Sequence, residues 1–351
     1  MSNIQSSSTN QLLEVNITNI PTHQRYWLIR TLQGEYYDEF FHGNFIGIGW
    51  NDFCSIDEIK QAGDSPKQHY EAFIQKIREA DPNDKQPGLS FSQLKRFMIE
   101  INKGDIVIIP NQNSRFVSFG IITSDMNLVN IKEDDALEGA CPFKKRRNVH
   151  WLKTIPRDSL DPYLYRLLYS HHTITNADDY ALYIDRTLHS LYMKDNRAHL
   201  VLRINTENAV RLKDLSLLMD GIIDVVQLCN LPDLDASQED FDKLEVKINV
   251  QSPGPLEYIA CASVIAIVAT GVYAVNQLLK QGGEFNFDIG WRGVKLNFKT
   301  EGSVTTSDKL LKAIEESAAA QEKLKQIALA MQNLDVKSPE EIAPQNQNDQ
   351  A

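Results

Sequence analysis

The segment FIGIGWN, residues 45–51, places two glycines, a tryptophan and an asparagine at the end of an apolar run. Glycine inside a strand weakens it and marks a bulge, a corner, or a place where a ligand approaches the backbone. Trp50 offers a flat aromatic surface next to Gly49, and the amide of Asn51 both donates and accepts hydrogen bonds. Such side chains stack on a planar heterocycle and bind its polar edge. The segment therefore predicts a binding site for a base-like ligand, with Trp50 at its rim.

Other aromatic residues could supply further walls for this site. Tyr26 and Trp27 lie in the run YWLIR, and Trp151 lies in the run NVHWL. Stacking on an aromatic side chain stabilises a bound base by roughly 1 to 3 kcal/mol. The alternative is that these rings are core residues, which is the commoner role of large aromatics. Both interpretations stay open at the level of the sequence.

Four consecutive cations precede the Trp151 run: Lys144, Lys145, Arg146 and Arg147. The whole chain has 36 basic and 47 acidic residues and a formal charge of -11. This balance argues against broad binding to duplex nucleic acid, which depends on many clustered cations. The run therefore predicts a local contact to phosphates beside a captured base. The alternative is a solvated loop.

The segment LEVK, residues 244–247, matches the Glu-x-Lys strand of PD-(D/E)XK nucleases, with Asp224, Asp233 or Asp235 upstream. Two carboxylates and a lysine around a divalent metal suit phosphodiester hydrolysis. Alternating Glu and Lys is also common on a half-exposed strand, and the surrounding α/β segment is short. A metal-dependent nuclease is therefore a third function that we consider, after a binding protein and a membrane effector.

The sequence has no HExxH, GxSxG or P-loop motif. We therefore predict no catalytic residue, metal ligand or cofactor.

The elements that must position these residues follow from hydrophobic patterning. Runs rich in aliphatic and aromatic residues predict a small barrel; they are residues 26–30, 45–50, 105–110, 115–123 and 148–152. Helical spacing of apolar residues predicts helices over 67–80 and 90–101. Farther along, the patterns predict a helix over 176–193, a strand over 198–205, a helix over 210–228 and a strand over 243–250. Residues 284–290 and 294–300 flank WRG and are predicted to form a hairpin. Residues 307–334 are predicted to form a long amphipathic helix.

Composition and cysteine usage bound the class of protein. The 351 residues favour two or three domains, and 42% hydrophobic with 24% charged residues is ordinary globular usage. Four widely spaced cysteines without a CxxC pair predict neither a zinc site nor a disulfide framework, and indicate a reduced, intracellular protein.

The run from Tyr258 to Leu279 contains no charged residue over 22 positions, which is long enough to cross a bilayer. The alternatives are a single transmembrane helix and a buried or oligomer-interface helix. The protein is accordingly predicted to be cytoplasmic or to lie at the inner membrane. If the run is a transmembrane helix, the alternative function is that of a membrane effector.

Five segments occur in the order RYWLIRT, FIGIGW, FMIEINKGDIVIIP, RFVSFGIIT and RNVHWLKTIPRDSL. With these segments residues 25–170 resemble the EVE and YTH branch of the PUA-like superfamily, particularly the EVE-like modules found ahead of Mrr-type restriction nucleases. The resemblance implies a small barrel whose mouth holds an aromatic pocket for a modified base or nucleotide. It also implies a sensor in prokaryotic defence against phage.

Together these observations predict an α+β protein: a PUA-like small β-barrel with inserted helices, then a small α/β unit, a hydrophobic helix and a C-terminal helix. The predicted segments are a disordered tail (1–24), the barrel (25–170), the α/β unit (171–251), the hydrophobic helix (252–283), a hairpin with the amphipathic helix (284–340) and a polar tail (341–351). The predicted ligand residues are Tyr26, Trp27, Arg30, Gly49, Trp50, Asn51 and Trp151, with Lys144, Lys145, Arg146 and Arg147 on phosphate. The predicted partners are a modified nucleic acid or nucleotide, a membrane in the alternative case, and a second copy of the chain through 307–334.

Overall fold

The computed structural model describes residues 13–64, 67–131, 140–229, 231, 236–248, 254–281, 294–298, 302–304 and 307–339. The polar tail predicted over 341–351, the first strand of the hairpin predicted at 284–290, and Asp233 and Asp235 lie outside the described residues.

The strands are β1 (Leu13–Asn16), β2 (Thr18–Asn19), β3 (Tyr26–Ile29), β4 (Phe45–Ile48), β5 (Ile106–Pro110), β6 (Phe116–Ile122), β7 (Asn127–Leu128), β8 (Lys145–Pro156), β9 (Ile174–Asn176), β10 (Leu191–Lys194), β11 (Arg197–Ile204), β12 (Glu245–Ile248), β13 (Gly254–Ala260), β14 (Val294–Phe298), β15 (Gly302–Val304) and β16 (Val336–Lys337). The α-helices are α1 (Tyr37–His42), α2 (Ile56–Asp64), α3 (Lys67–Ala80), α4 (Pro87–Lys95), α5 (Leu164–Leu168), α6 (Ala181–Leu188), α7 (Leu212–Cys229), α8 (Gln238–Asp242), α9 (Ala262–Lys280), α10 (Ser307–Glu316) and α11 (Ala318–Asn333).

The chain forms two compact units. Residues 23–188 make up one, here called the insert unit, and residues 1–22 with 189–351 make up the other, here called the terminal unit. The insert unit continues past the predicted barrel boundary at residue 170 because α5, β9 and α6 pack on its sheet. Residues 171–251 are therefore divided between the two units.

The sheet of the insert unit has the order β4-β8-β6-β5-β3-β9, and β7 pairs with β8. Strands β5 and β3 run parallel, and the other neighbours are antiparallel. The five strands predicted from apolar runs are confirmed. The sheet curls into a half-barrel with β4 and β9 at its edges, so the predicted small barrel is confirmed in part, as a curled sheet in a mixed α and β fold.

Each face of this sheet covers its own core. One core contains Trp27, Val107 and Val149 together with side chains from α2, α3 and α4, such as Phe73 and Leu94. The other is formed by alternate strand residues with side chains from α5 and α6; it includes Tyr26, Leu28, Phe119, Leu164 and Ile184. Because successive strand residues face opposite sides, a strand that is apolar throughout can serve both cores.

The helices of this unit follow the predictions in part. The helix predicted at 67–80 is confirmed as α3, whereas the one predicted at 90–101 begins at Pro87 and ends in a π-helical turn, Arg96–Glu100. The helix predicted over 176–193 is wrong in extent. It is a 3₁₀ turn and α6, and its last residues belong to β10, which forms a hairpin with β11.

The terminal unit contains a sheet of order β12-β13-β11-β10-β2, with β16 pairing with β11, and a second sheet of order β1-β14-β15. The tail predicted over 1–24 is corrected for residues 13–24, because β1 pairs in parallel with β14 and β2 pairs in parallel with β10. Val15 and Ile17 are buried in the core.

The uncharged run is part strand and part core helix. Tyr258 to Ala260 complete β13, and α9 begins at Ala262. This helix has a mean hydropathy of 1.7 over its most apolar window, but 78% of that window is buried within the protein. Its Gly271 faces Ile222 of α7. The helix therefore behaves as the centre of a globular core, and it does not support the transmembrane alternative.

The long amphipathic helix predicted at 307–334 is two helices. The break falls at Ser317, whose hydroxyl accepts a hydrogen bond from Ala320 N (3.2 Å) and caps α11. The apolar stripe predicted for self-association, including Leu310, Ile314 and Leu324, is buried in the core of the same chain. That stripe is therefore not available to a second copy.

Candidate functional site

Phe143 explains the two glycines at the end of β4. A Cβ atom on Gly47 would lie 3.1 Å from Lys145 O and 3.2 Å from Phe143 Cβ. A Cβ atom on Gly49 would lie 3.5 Å from Phe143 Cε1. The ring of Phe143 therefore occupies the space beside the glycines that the sequence predicted for a ligand.

Trp50 has left-handed backbone geometry, with φ at 54°. A bulky residue rarely adopts this conformation, which costs of order 1–3 kcal/mol. Its carbonyl accepts hydrogen bonds from Lys145 Nζ (2.7 Å) and Phe53 N (3.0 Å), and these contacts hold the strained turn. The amide of Asn51 is engaged at both ends, donating to Pro142 O (2.8 Å) and accepting from Lys144 N (3.0 Å). This turn therefore fixes the loop before β8.

The structure places the predicted aromatic walls in the cores of the insert unit. Trp27 is fully buried on β3, where its Nε1 donates to Asp105 Oδ2 (2.9 Å), and the hydroxyl of the buried Tyr26 donates to Asp185 Oδ1 (2.5 Å). Trp50 and Trp151 are partly buried and pack against the same core as Trp27, whereas Tyr26 belongs to the core on the other face of the sheet. These aromatics therefore act as core residues.

The four consecutive cations are not a joint phosphate site. They enter β8, and its alternation buries Lys145 (0% exposed) and Arg147 (3% exposed), so the predicted exposed cluster is wrong for these two residues. Arg147 Nε donates to Phe97 O (2.9 Å) at the π-helical turn. Arg146 donates to Phe143 O (3.0 Å) and Cys141 O (2.9 Å), whereas Lys144 is exposed. Internal carbonyl groups thus bind the cations that the sequence assigned to phosphate.

Burial lowers the pKa of Lys145 from 10.5 to about 8 and that of Arg147 to about 10. For Lys145 this shift predicts a pH-dependent stability. Between pH 8 and pH 10.5 the unfolded chain binds more protons than the folded chain, so the free energy of unfolding rises with pH across this window. We expect a gain of about 2 kcal/mol that a Lys145→Met variant lacks.

Urea denaturation of both proteins at a series of pH values across this window measures the difference. Parallel pH profiles for wild type and Lys145→Met would contradict the buried state of the amine.

A cavity of about 450 Å³ lies at the start of β8, bordered by Glu39, Cys141 and Arg146. Cys141 N donates to Glu39 Oε2 (2.7 Å), and burial raises the pKa of the Cys141 thiol to about 11. The thiol is therefore protonated at neutral pH and is a poor nucleophile. The described residues that line this cavity include no aromatic side chain.

A larger groove, of about 690 Å³, lies at the other end of β8, and we call it the Arg157 groove. It is lined by Asn113, Arg115, Phe116, Pro156, Arg157, Asp158 and Tyr165. Phe116 pairs with Pro156 where β6 begins and β8 ends, and the β5–β6 turn supplies Asn113 and Arg115. The side of the groove is therefore built on paired strands.

The guanidinium of Arg157 lies close to two tyrosine rings. Its Cζ is 5.4 Å from the centroid of Tyr165 and 5.9 Å from that of Tyr169. The Tyr165 hydroxyl donates to Arg157 O (2.8 Å), and Arg157 N donates to Arg115 O (2.8 Å). Phe116 is 45% exposed and Tyr169 is 66% exposed, so flat surfaces are open to a ligand beside two guanidinium groups. Guanidinium groups bind phosphate, and the rings stack on planar heterocycles.

Arg30, a predicted ligand residue, supports this groove from within the insert unit. Its guanidinium donates to Leu168 O and Ser170 O, the carbonyls on either side of Tyr169. Burial lowers the pKa of Arg30. Arg30 thus positions the turn that carries Tyr169 and does not itself line the groove.

Comparison with known proteins adds one match. Residues 26–177 match a family described only as a domain of unknown function, DUF8426. The match covers most of the insert unit and less than half of the chain. No curated protein and no solved structure matches the chain.

The Glu-x-Lys strand does not assemble a metal site among the described residues. Glu245 and Lys247 are exposed on β12, and Glu245 Oε1 accepts from Arg197 Nη1 (2.9 Å). Asp224 pairs with Lys323 (2.5 Å) on α11. No group of three or more His, Cys, Asp and Glu side chains able to hold a metal ion occurs in the described part of the chain.

Sequence reasoning missed the Arg157 groove because its lining residues come from three separate segments, 113–116, 156–158 and 165. One signal was present in PYLYRLLYS, where Tyr165 and Tyr169 are four residues apart and so share a helix face. The register that places this face beside Arg115 and Phe116 depends on β6–β8 pairing, which the local pattern does not specify.

Proposed function

We propose that the insert unit is a PUA-like binding module that holds a nucleobase or nucleotide in the Arg157 groove. The observation that carries this proposal is the contact of the Arg157 guanidinium with the rings of Tyr165 and Tyr169, in a groove that also contains the exposed ring of Phe116. A chain with a formal charge of -11 here concentrates guanidinium and aromatic groups around one concave surface.

The chemistry of the lining matches the parts of a nucleotide. Phe116 and Tyr165 supply faces for a base, and Arg115 and Arg157 supply donors for its phosphate. The carboxylate of Asp158 is an acceptor for an exocyclic amino group. No bond is broken in this proposal, because stacking, charge and edge hydrogen bonds are sufficient for recognition.

The resemblance to EVE-like and YTH-like modules supports a selective role for the module. Modules of that kind take modified bases, so we include selectivity for a modified base, and a sensor role in defence against phage, in the proposal. The matching segments include RNVHWLKTIPRDSL, whose last residues contribute Pro156, Arg157 and Asp158 to the groove.

The test is a binding measurement with an Arg157→Gln variant. We expect wild type to bind labelled single-stranded oligonucleotides, and free nucleotides in competition, with saturable affinity. Arg157→Gln should weaken binding by at least about tenfold, since it removes a charge-assisted contact and a stacking plane. Fluorescence anisotropy at a fixed low salt concentration measures the affinities of wild type and Arg157→Gln. Methylated and plain bases are compared in one panel.

The matched control is Arg78→Gln, which makes the same change of charge at an exposed position on α3. It should bind as wild type does, and circular dichroism should be unchanged in both variants. Absence of saturable binding to every probe, or equal weakening by the two variants, would contradict the proposal.

A further inference from the structure

We infer that the Arg157 groove takes a single-stranded nucleic acid of at least two nucleotides, because the guanidinium of Arg157 is shared by two stacking surfaces. This inference rests on the proposed function and specifies its ligand class. Tyr165 lines the groove, and Tyr169 continues the aromatic surface beyond it.

The two tyrosines lie on one side of α5. They are four residues apart, so their side chains project from the same helix face, and both rings lie within reach of Arg157 Cζ, at 5.4 and 5.9 Å. A phosphate bound to this guanidinium would lie near both rings. A dinucleotide likewise has two bases joined through one phosphate.

Tyr169 is held in place although it is exposed. Its backbone N–H donates to Arg166 O (3.3 Å), and Arg30 binds the carbonyls of Leu168 and Ser170 on either side. The Tyr169 ring is 66% exposed, so its position depends on this turn, which is anchored by the Arg30 contacts and by the buried side chain of Leu168 (5% exposed). A fixed aromatic surface costs little entropy when a base stacks on it.

A free mononucleotide would use only part of this surface. Its base would occupy the groove between Phe116 and Tyr165, and its phosphate would contact Arg115 or Arg157. The ring of Tyr169 would remain in water. A second nucleotide would cover this ring, so affinity should rise between one nucleotide and two.

The experiment compares ligand length across three proteins. Labelled oligothymidylates and oligouridylates of two, four and eight nucleotides are titrated into the full chain, and thymidine and uridine monophosphates compete. We expect an affinity gain of about tenfold from one nucleotide to two, which Tyr169→Ala abolishes and Tyr169→Phe retains. The two sugar types distinguish DNA from RNA as the source of the single strand.

Tyr163→Ala is the matched control. Tyr163 is 56% exposed at the start of the same helix, but its ring stacks on Tyr183 at a centroid distance of 4.5 Å. The Tyr163→Ala variant should keep the gain in affinity from one nucleotide to two. Mononucleotide affinity should be equal in wild type and Tyr169→Ala.

The outcomes separate this inference from the proposed function. Mononucleotide binding that Arg157→Gln weakens, without any gain from length or with a gain that survives Tyr169→Ala, would overturn the inference and leave the proposed function standing. Absence of binding to every probe would overturn both.

Discussion

Asp161→Ala should lower the free energy of unfolding of the insert unit by about 3–5 kcal/mol, the largest effect that we expect from a single substitution in this unit. Asp161 Oδ2 accepts hydrogen bonds from Nε (2.8 Å) and Nη2 of Arg186, and the two side chains are 4% and 6% exposed. Removing the carboxylate takes away the buried counter-charge of a guanidinium that is itself 6% exposed, and the contact of Arg186 Cζ with the Tyr183 ring at 4.9 Å does not replace that charge.

The measurement is chemical denaturation followed by tryptophan fluorescence, which reports mainly on the insert unit because three of the four tryptophans lie in it. Asp161→Asn separates the contribution of the ion pair with Arg186 from that of the turn before α5. The amide oxygen of asparagine can still accept the hydrogen bond from Tyr163 N (3.1 Å), so this variant keeps the turn and loses only the charge. We expect it to lose less stability than Asp161→Ala.

An exposed ion pair of the same unit provides the control. Glu58 and Lys76 lie 3.0 Å apart, with side chains 49% and 55% exposed. Exposed pairs stabilise proteins by about 0–1 kcal/mol, so Glu58→Ala should change little. Similar losses for Glu58→Ala and Asp161→Ala would mean that burial does not govern the strength of these pairs.

Gly271→Val should destabilise the terminal unit by about 3 kcal/mol. A Cβ atom at this position would lie 2.5 Å from Ile222 Cγ2 and 3.0 Å from Ile222 Cδ1, so α9 and α7 would have to separate. Both residues are buried, and helix packing leaves no room for such a shift without loss of contact elsewhere. Guanidinium chloride denaturation monitored by far-UV circular dichroism measures the loss.

The double variant Gly271→Val with Ile222→Ala tests the cause. Truncating Ile222 removes the atoms that the new side chain meets, so the double variant should lose less stability than the sum of the two single variants. Additive losses would show that the two helices do not interlock at this position. Unchanged stability of Gly271→Val, with the protein in the membrane fraction, would favour the transmembrane alternative.

The sequence predicted elements well where local pattern and burial agree. The strands around Trp27, Val107 and Phe119 are apolar on both sides because both faces of the sheet are covered, and α3 has a regular apolar stripe at Phe73 and Ile77. Such patterns are set within one element. They do not depend on which neighbour the element meets.

Predictions failed where a distant partner decides the outcome. Lys145 and Arg147 are ordinarily surface residues, but Trp50 O and Phe97 O, distant in the sequence, stabilise their burial. The uncharged run around Gly271 is equally typical of a membrane span and of a core helix. Only the presence of Ile222 and the rest of the core decides between the two.

The candidate binding sites also depend on residues that are distant in the sequence. Trp50 was singled out by the nearby Gly47 and Gly49, but the side chain of Phe143, a residue nearly a hundred positions away, lies beside both glycines. The spacing of Tyr165 and Tyr169 shows a shared helix face but not a groove, because the β6–β8 register and the Arg30 contacts bring that face next to Arg157.

The parallel pairing of β1 with β14 has a consequence for synthesis of the chain. Leu13 emerges from the ribosome early, yet its partner Val294 follows some 280 residues later, at a rate of about 5–20 residues per second. Residues 23–188 can meanwhile complete their own sheet, since its strands all lie within that stretch. Co-translational folding should therefore complete the sheet of residues 23–188 first, while β1 stays unpaired with β14 until residues 294–298 have been synthesised.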